Sequence, residues 1–288
     1  MAGHPAIAAG RAAVITGAAG GIGLATALKL AAAGMKVTLA DANAERLEQA
    51  REGIALTTNR PDEVRALALD VAKPADVERL RDEAYAAFGE VAVLMNNAGV
   101  GNGGPVLGDL EKWRRVLEVN LWGVINGMQA FAPAMIRQGT PGAIINTGSK
   151  QGITTPPGDA AYNVSKAGVK VATEALAHEL RNIEGCKVTA HLLIPGFTFT
   201  GITANLDRPK PLGAWTAEQV ADFLLDGLGK GDFYILCPDN DVTRDIDERR
   251  ILWAAQDIIE NRPPLSRWHP DWKAPFAEFM KGPSPCRS

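Results

Sequence analysis

One tyrosine of this chain has a lysine four residues further on, and this pair could move a proton. Tyr162 and Lys166 stand in the segment AYNVSKA at 161–167, whereas the other two tyrosines have glycine or proline at that offset. Residues four apart share a helical face, and a lysine charge favours the phenolate of a tyrosine whose ordinary pKa is about 10. The pair could therefore act as acid and base on a carbonyl or alcohol oxygen. A half-buried tyrosine beside a solvated lysine has the same spacing.

A glycine-rich turn stands between an apolar run and a helical pattern near the N-terminus. The segment TGAAGGIG at 16–23 has the spacing G-x-x-x-G-x-G. Glycine is required at such a turn when a phosphate must reach backbone N–H groups and a helix N-terminus, because a Cβ would hold it away. The turn therefore predicts a phosphate site for a dinucleotide. A tight strand-to-helix turn alone would explain the glycines equally well.

The elements that must position these residues follow from the alternation of apolar runs with helical patterns. Near-continuous hydrophobicity in the runs predicts strands buried on both faces, as in a parallel sheet covered by helices. The pattern predicts an α/β, doubly wound Rossmann-type fold with a single, mostly parallel sheet of about seven strands. We expect one domain over 1–237 and a C-terminal helical and extended tail over 238–288. The predicted strands are 12–16, 36–40, 64–69, 91–95, 143–147, 187–194 and 233–237.

Composition excludes several classes of function. The chain of 288 residues has 30 basic and 33 acidic side chains and a formal charge of −3, which is no basis for binding nucleic acid or an anionic membrane. Its three cysteines form no C-x-x-C pair, and its four histidines show no metal-ligand spacing, so we expect no metal. We read neither a membrane span nor a signal peptide, and expect a cytoplasmic protein.

Further motifs occur in a fixed order along 12–237 and are more specific than the glycines. NNAG follows the fourth predicted strand, VNLWG comes next, a serine follows the fifth strand, Y-x-x-x-K comes after it, and Pro-Gly follows the sixth strand. In this order the sequence resembles the short-chain dehydrogenase/reductase family of the TGxxxGxG, NNAG and YxxxK type. The residues carrying the resemblance beyond the glycine turn are Asn97, Ala98, Gly99, Asn120, Ser149, Tyr162, Lys166, Pro195 and Gly196.

The resemblance implies four catalytic residues. Ser149 would donate a hydrogen bond to the substrate oxygen, and Tyr162 would be the acid/base. Lys166 would hold the nicotinamide ribose and tune Tyr162, while Asn120 would hold a water that links Lys166 to solvent. A capping or bulge role is the alternative for Asn120.

The same resemblance implies the cofactor site, with NAD preferred over NADP. Asp41 ends the second predicted strand, where a carboxylate accepts hydrogen bonds from ribose hydroxyls and repels a 2′-phosphate. The nearest cation in sequence is Arg46, on the following helix. Strand-end capping is the alternative for Asp41 and Asp70, and ordinary loop positions for the two threonines. The full predicted set is Gly17, Ala19, Gly20, Gly21, Ile22, Gly23, Asp41, Asp70, Val71, Asn97, Ala98, Gly99, Tyr162, Lys166, Pro195, Gly196, Thr198 and Thr200.

The substrate is expected to be a neutral, fairly hydrophobic secondary alcohol or ketone. The segment 197–218, which covers the substrate in the family, is rich in apolar side chains, although these could simply pack the lid. The alternatives are a sensor or regulatory protein that binds NAD(P) on the same fold, and an NADP-dependent ketoreductase. The predicted substrate contacts are Gln151, Ile153, Phe197, Phe199 and Trp215.

The C-terminal tail is predicted to bury apolar side chains. Leu252, Ala255, Ile258 and Ile259 have helical spacing, so we expect them to form the buried face of a helix. The following aromatic residues and prolines favour an extended strap. We expect a homodimer or homotetramer in which this tail covers a neighbour or its own active site. Packing on its own subunit away from the site is the alternative. The strap's aromatic residues are Trp268, Trp272, Phe276 and Phe279.

Overall fold

A seven-stranded parallel sheet forms the centre of the molecule, in the order β3-β2-β1-β4-β5-β6-β7. The structure is a computed structural model that describes residues 3–201 and 209–282. The prediction of a doubly wound Rossmann-type fold is confirmed, and each predicted run overlaps one strand. The strands are β1 (Ala12–Thr16), β2 (Lys36–Asp41), β3 (Val64–Ala68), β4 (Val93–Asn96), β5 (Gly142–Thr147), β6 (Val188–Ile194) and β7 (Tyr234–Leu236).

Helices cover both faces of the sheet and account for the continuous hydrophobicity of its central strands. Every residue of β1, β4 and β5 is buried. The described α-helices are α1 (Gly21–Ala32), α2 (Ala44–Thr58), α3 (Pro74–Phe88), α4 (Leu110–Leu117), α5 (Gly123–Arg137), α6 (Gln151–Thr154), α7 (Ala160–Arg181), α8 (Ala217–Lys230), α9 (Arg244–Ile259) and α10 (Lys273–Phe279). Side chains of α1, α2 and α8 form one apolar core with the sheet, and those of α3, α5 and α7 form the other.

The strand order reverses direction between β1 and β4. The chain moves outward from β1 to β2 and β3, then returns to place β4 on the other side of β1. The loops after β1 and β4 therefore diverge and leave a crevice at the carboxyl ends of the strands, where ligands of open α/β sheets bind. The glycine turn follows β1 at this crevice, and Asn97 follows β4.

Within the C-terminal segment, α9 and the residues that follow it are joined by an aromatic cluster. Trp253 of α9 is 4% exposed, and its ring centroid lies 5.1–6.0 Å from those of three aromatic residues of the segment that follows. The guanidinium of Arg262 lies 4.2 Å from the Trp253 ring centroid, in cation–π geometry. The aromatic residues around Trp253 are Trp272, Phe276 and Phe279.

Two expectations for this segment differ from the structure. Ala255, Ile258 and Ile259 are exposed, the two isoleucines at 86% and 78%, because α9 buries Asp247 and Trp253 instead. The expected extended strap contains the short helix α10 and two 3₁₀ turns, at Ser266–Trp268 and Pro270–Trp272. Within residues 3–201 and 209–282, no helix has the length and apolarity that crossing a membrane requires.

Candidate active site

A cleft of about 630 Å³ opens at the carboxyl ends of the strands and brings most of the predicted site residues together. Its volume lies in the range of small-molecule sites. Of the predicted residues, the cleft is lined by Gly17, Ala19, Gly20, Gly21, Ile22, Asp41, Asn97, Gly99, Ser149, Gln151, Tyr162, Lys166, Pro195, Gly196, Phe197, Thr198 and Thr200.

The glycine turn has no room for side chains at the positions where it meets the rest of the cleft. Gly17 has φ +66°, and a Cβ there would lie 2.8 Å from the Cα of Ala98. A Cβ on Gly23 would collide with the carbonyl oxygen of Gly17 and the amide of Asn97. Gly20 is the extended N-cap of α1 and has open space where its Cβ would stand. The turn thus presents bare backbone and a helix N-terminus to the cleft, as a pyrophosphate requires.

Asp41 stands at the far end of the cleft from Tyr162. Its Oδ2 accepts a hydrogen bond from the backbone N–H of Ala19, and its Oδ1 accepts one from Asn43. Arg46, from the first turn of α2, lines the same cleft. Two backbone N–H groups therefore hold the carboxylate of Asp41 in place. Arg46 lines the same cleft, although the sequence placed it only on the following helix.

Tyr162 lies on the first turn of α7, in hydrogen-bonding contact with Ser149. The pKa of Tyr162 is raised, chiefly by burial; hydrogen bonding to Ser149 lowers it and the charge of Asp159 raises it further. The expectation of a lowered pKa is thus not met in this geometry, because burial outweighs the favourable contacts. Ser149 is placed by the loop after β5, where its Oγ also accepts the N–H of Gln151.

Lys166 is buried beneath Tyr162, one turn further along α7. It is 3% exposed, its Nζ donates to the carbonyl of Thr147 at 2.7 Å, and its Nζ lies 5.7 Å from the Tyr162 ring centroid. Burial lowers the pKa of Lys166 to about 8. Its ammonium can therefore lose a proton close to neutral pH, which suits a group that exchanges protons with the site.

Asn120 lies behind the cleft, in a π-helical turn between α4 and α5 (Glu118–Trp122). Its Oδ1 accepts from the N–H of Val100, and its Nδ2 donates to the carbonyl of Val100 and to Ser165 Oγ. Single π turns inside helices are frequent at functional sites. Asn120 thus ties the loop after β4 to α7, and it is fully buried rather than exposed to the cleft.

Asp159 is a cleft residue that the sequence reasoning missed. Its carboxylate accepts hydrogen bonds from four backbone N–H groups, three in the loop after β4 and one at Tyr162. It therefore caps the N-terminus of α7 and fastens the loop to the helix that carries Tyr162. An aspartate three residues before Tyr162 is the signature of such a cap. The three loop donors are Asn102, Gly103 and Gly104, at 2.9–3.3 Å.

Several predicted site residues lie outside the cleft lining. Asp70 is paired with Arg115 at 3.0 Å, and Val71 packs where α5 begins. Ile153 packs against the apolar core. The backbone N–H of Phe199 donates to the carbonyl of Trp215, whose ring packs against Phe223. Positions 202–208 of the predicted lid lie outside the described residues. The predicted residues away from the lining are Gly23, Asp70, Val71, Ala98, Asn120, Ile153, Phe199 and Trp215.

Comparison with known proteins decides the family. A family model described as short chain dehydrogenase matches residues 11–211. The chain belongs to the short-chain dehydrogenase family. Membership makes it an oxidoreductase of a family that binds nicotinamide dinucleotides. No group of three histidine, cysteine, aspartate or glutamate side chains in the described part of the chain could hold a metal ion.

Three relatives illustrate the range of this similarity. A protein of Streptomyces exfoliatus named 1-deoxy-11-beta-hydroxypentalenate dehydrogenase is 36% identical over 274 residues, covering 93% of this chain and 96% of that protein. A short-chain dehydrogenase/reductase from Burkholderia phymatum, solved in complex with NAD, has a TM-score of 0.80 and 34% identity, covering 90% of this chain and 97% of that one. An alcohol dehydrogenase from Thermococcus sibiricus, complexed with 5-hydroxy-NADP, has a TM-score of 0.67 and 28% identity over 76% of this chain and 90% of that one.

Proposed function

We propose that this protein transfers a hydride between NAD(H) and a neutral, hydrophobic secondary alcohol or ketone. The observation that carries the proposal is the placement of Ser149, Tyr162 and Lys166 in the same cleft as a glycine turn with bare backbone. A bound nicotinamide dinucleotide supplies the hydride acceptor or donor. The glycine turn and the N-terminus of α1 would hold its pyrophosphate, and Asp41 its adenosine ribose.

The side chains of the cleft handle the proton that accompanies hydride transfer. During alcohol oxidation, the phenolate of Tyr162 takes the hydroxyl proton while the carbon loses a hydride, and Ser149 donates a hydrogen bond to the same oxygen. In the reverse direction the phenol gives this proton back to the carbonyl oxygen. The ammonium of Lys166, whose pKa of about 8 lies below that of Tyr162, can give a proton back to the phenolate after ketone reduction. Asn120 fastens the loop after β4 to α7, the helix that carries both residues.

The lysines that line the cleft already have partners within the protein, and this favours a neutral substrate. Among the described residues, the lysine and arginine side chains lining the cleft are Arg46, Lys150 and Lys166. Lys150 is paired with two aspartates, Lys166 is engaged by Thr147, and Arg46 stands at the Asp41 end. None of them is placed to receive a substrate carboxylate beside Ser149. The exposed ring of Phe197 at the cleft favours an apolar substrate instead.

The preference for NAD depends on Asp41. A carboxylate fixed by two backbone N–H groups would repel a 2′-phosphate at close range. Arg46 offers the opposite charge to that phosphate, so NADP would be used less efficiently rather than rejected. Wild-type protein should therefore show a higher kcat/KM with NAD than with NADP.

We also propose a cytoplasmic homodimer or homotetramer. Trp122, Val164 and Val171 are 48–62% exposed, and the two valines lie seven residues apart on one face of α7. Apolar side chains grouped on one face indicate a contact surface. Light scattering of purified protein would measure the assembly, and a monomer would contradict this part of the proposal.

A substrate panel tests the proposed function. Purified protein would be incubated with NAD, or with NADP, and with pairs of secondary alcohols that differ by a carboxylate, while NADH absorbance is followed. We expect turnover with the neutral, apolar member of each pair and a kcat/KM at least about tenfold lower with the carboxylate. Tight NADH binding without any turnover would favour the sensor alternative, and faster turnover of the carboxylates would overturn the neutral substrate.

A further inference from the structure

A buried ion triad joins the catalytic loop to the C-terminal segment. Lys150, the residue after Ser149, places its Nζ 2.6 Å from Asp247 Oδ2 and 3.3 Å from Asp239 Oδ2. All three side chains are largely buried, with 16% of the lysine and 5–6% of the aspartates exposed. Both carboxylates come from beyond residue 211, where the family match ends. Lys150 therefore lies within the residues that match the family model, and the two aspartates lie beyond them.

Asp239 also holds the backbone on the other side of the cleft. Its Oδ2 accepts the N–H of Phe197, and its Oδ1 accepts the N–H groups of Asp241 and Val242. Gly196 lies directly over the triad, since a Cβ there would be 2.6 Å from Asp239 Oδ2 and 2.9 Å from Lys150 Nζ. One carboxylate thus links the turn 239–242 to the segment that follows Pro195.

Lys150 joins the same segment through its backbone. Its N–H donates to the carbonyl of Pro195, and its own carbonyl accepts from the N–H of Thr154. The loop after β5, which presents Ser149, and the segment after β6 are therefore tied together at one residue. The cleft is lined by both segments, with Ser149 from the first and Gly196 and Phe197 from the second.

The charge of the triad makes it costly to keep for packing alone. Two carboxylates face the ammonium of Lys150, with the charges of Arg250 and Arg267 also acting on Asp247, and burial raises the pKa of Asp247 despite these cations. Burying ions is unfavourable unless the geometry is well satisfied, and apolar side chains of similar size often stabilise a fold as well. A cluster of this kind fixes positions more than it adds stability.

We propose that Asp239 and Asp247, acting through Lys150, are positioning residues by which the C-terminal segment sets the separation of Ser149 and the Pro195–Phe197 segment. The inference rests on the proposed function, because the separation matters for a substrate held between these two segments. The C-terminal segment would then belong to the active site, although between residues 238 and 282 no side chain lines the cleft.

Charge-neutral substitutions test the triad. Asp239→Asn removes the charge beside Phe197, whereas Asp247→Asn leaves Lys150 its partner Asp239 and a balanced pair. Lys150→Gln removes the cation, and Lys150→Arg restores it. The matched control is Arg244→Gln, which removes the half-exposed cation of an ion pair with Glu248 on the same helix α9. For each protein, kcat, the KM for NAD and for the best alcohol, the dissociation constant for NADH and the melting temperature would be measured.

We expect Asp239→Asn to lower kcat/KM by about 10- to 100-fold, with KM for the alcohol rising as well as kcat falling, since small displacements at a reacting centre have effects of this size. Asp247→Asn should lower kcat/KM by about 3- to 10-fold, and Lys150→Arg should recover most of what Lys150→Gln loses. Arg244→Gln should stay within about twofold of wild type.

Two results would overturn the triad's positioning role. One is that Asp239→Asn and Asp247→Asn match Arg244→Gln. The other is that kcat falls only in proportion to folded protein, with both KM values unchanged. If the wild-type protein oxidises no alcohol, the proposed function fails, but NADH binding still tests the positioning role of the triad. NADH binding that is weaker by at least about threefold in Asp239→Asn supports this role, and unchanged NADH binding refutes it.

Discussion

Replacing Asp159 by asparagine should damage the site in two ways that can be measured separately. Its carboxylate oxygens each accept two backbone N–H groups, with Tyr162 and Gly104 on Oδ1 and Asn102 and Gly103 on Oδ2. Asparagine keeps one acceptor oxygen and turns an NH₂ group toward the other two donors. Two of the four hydrogen bonds are then lost, and the loop 102–104 is held less firmly to the start of α7.

The size of the effect follows from hydrogen bonds to a charged acceptor. Such bonds contribute about 1.5–3 kcal/mol each when buried, and water replaces part of this at the half-exposed loop. A net loss of about 1–2 kcal/mol in the transition state corresponds to roughly a 5- to 30-fold fall in the pH-independent kcat/KM. Removing the negative charge also lowers the pKa of Tyr162, because Asp159 raises that pKa in the wild type.

The assay is kcat/KM for alcohol oxidation as a function of pH. Oxidation requires the phenolate, so activity rises with pH through the pKa of Tyr162, and Asp159→Asn should move this rise to lower pH. Asp109→Asn is the matched control, because Asp109 caps α4 through the N–H groups of Glu111 and Lys112 away from the cleft. A lower plateau with an unmoved pH profile, or equal effects of the two substitutions, would refute the role given to Asp159.

Three further changes have definite expected outcomes. Tyr162→Phe should keep NADH binding within about threefold and lower kcat by at least about 10²-fold; near wild-type turnover would remove Tyr162 from the mechanism. Asp41→Ser should raise kcat/KM with NADP relative to NAD, and Arg46→Gln should lower it, so equal use of both cofactors by the wild type would contradict the role of Asp41. Burial lowers the pKa of His4 to about 4. As the pH drops from about 6.5 to about 4, His4 therefore takes up a proton in the unfolded chain before it does so in the folded protein, and the free energy of unfolding should fall. Urea titration should show a loss of roughly 2 kcal/mol over that window that His4→Gln lacks, and an identical loss in this variant would exclude His4 as the cause.

The sheet was predictable because its central strands are buried on both faces. Continuous apolar runs such as AAVIT and AIINT have few other stable environments, and glycines at the helix ends mark where the crossovers turn. The cleft residues were predictable where a local motif is required by chemistry, as in the glycine turn and the Tyr162–Lys166 pair. These features depend on residues close together in the chain.

The remaining features depend on contacts that no local pattern contains. Asp159 accepts a hydrogen bond from Asn102, which lies 57 residues earlier. Lys150 pairs with Asp239 and Asp247, which lie 89 and 97 residues later. Helical periodicity showed that α9 has an apolar side, but the aromatic cluster around Trp253 decides which side is buried. The pKa of Tyr162 likewise depends on burial by the assembled cleft, which outweighs the contacts that favour its charged form.

The central claim is that Tyr162 takes the proton when an alcohol is oxidised with NAD in this cleft. The most direct test measures NADH formation by wild type and Tyr162→Phe with the best neutral secondary alcohol, at equal saturation with NAD. We predict stoichiometric NADH and ketone from the wild type and at least about 10²-fold slower formation by the variant with NAD still bound. NADH formation at equal rates by the two proteins would contradict the account.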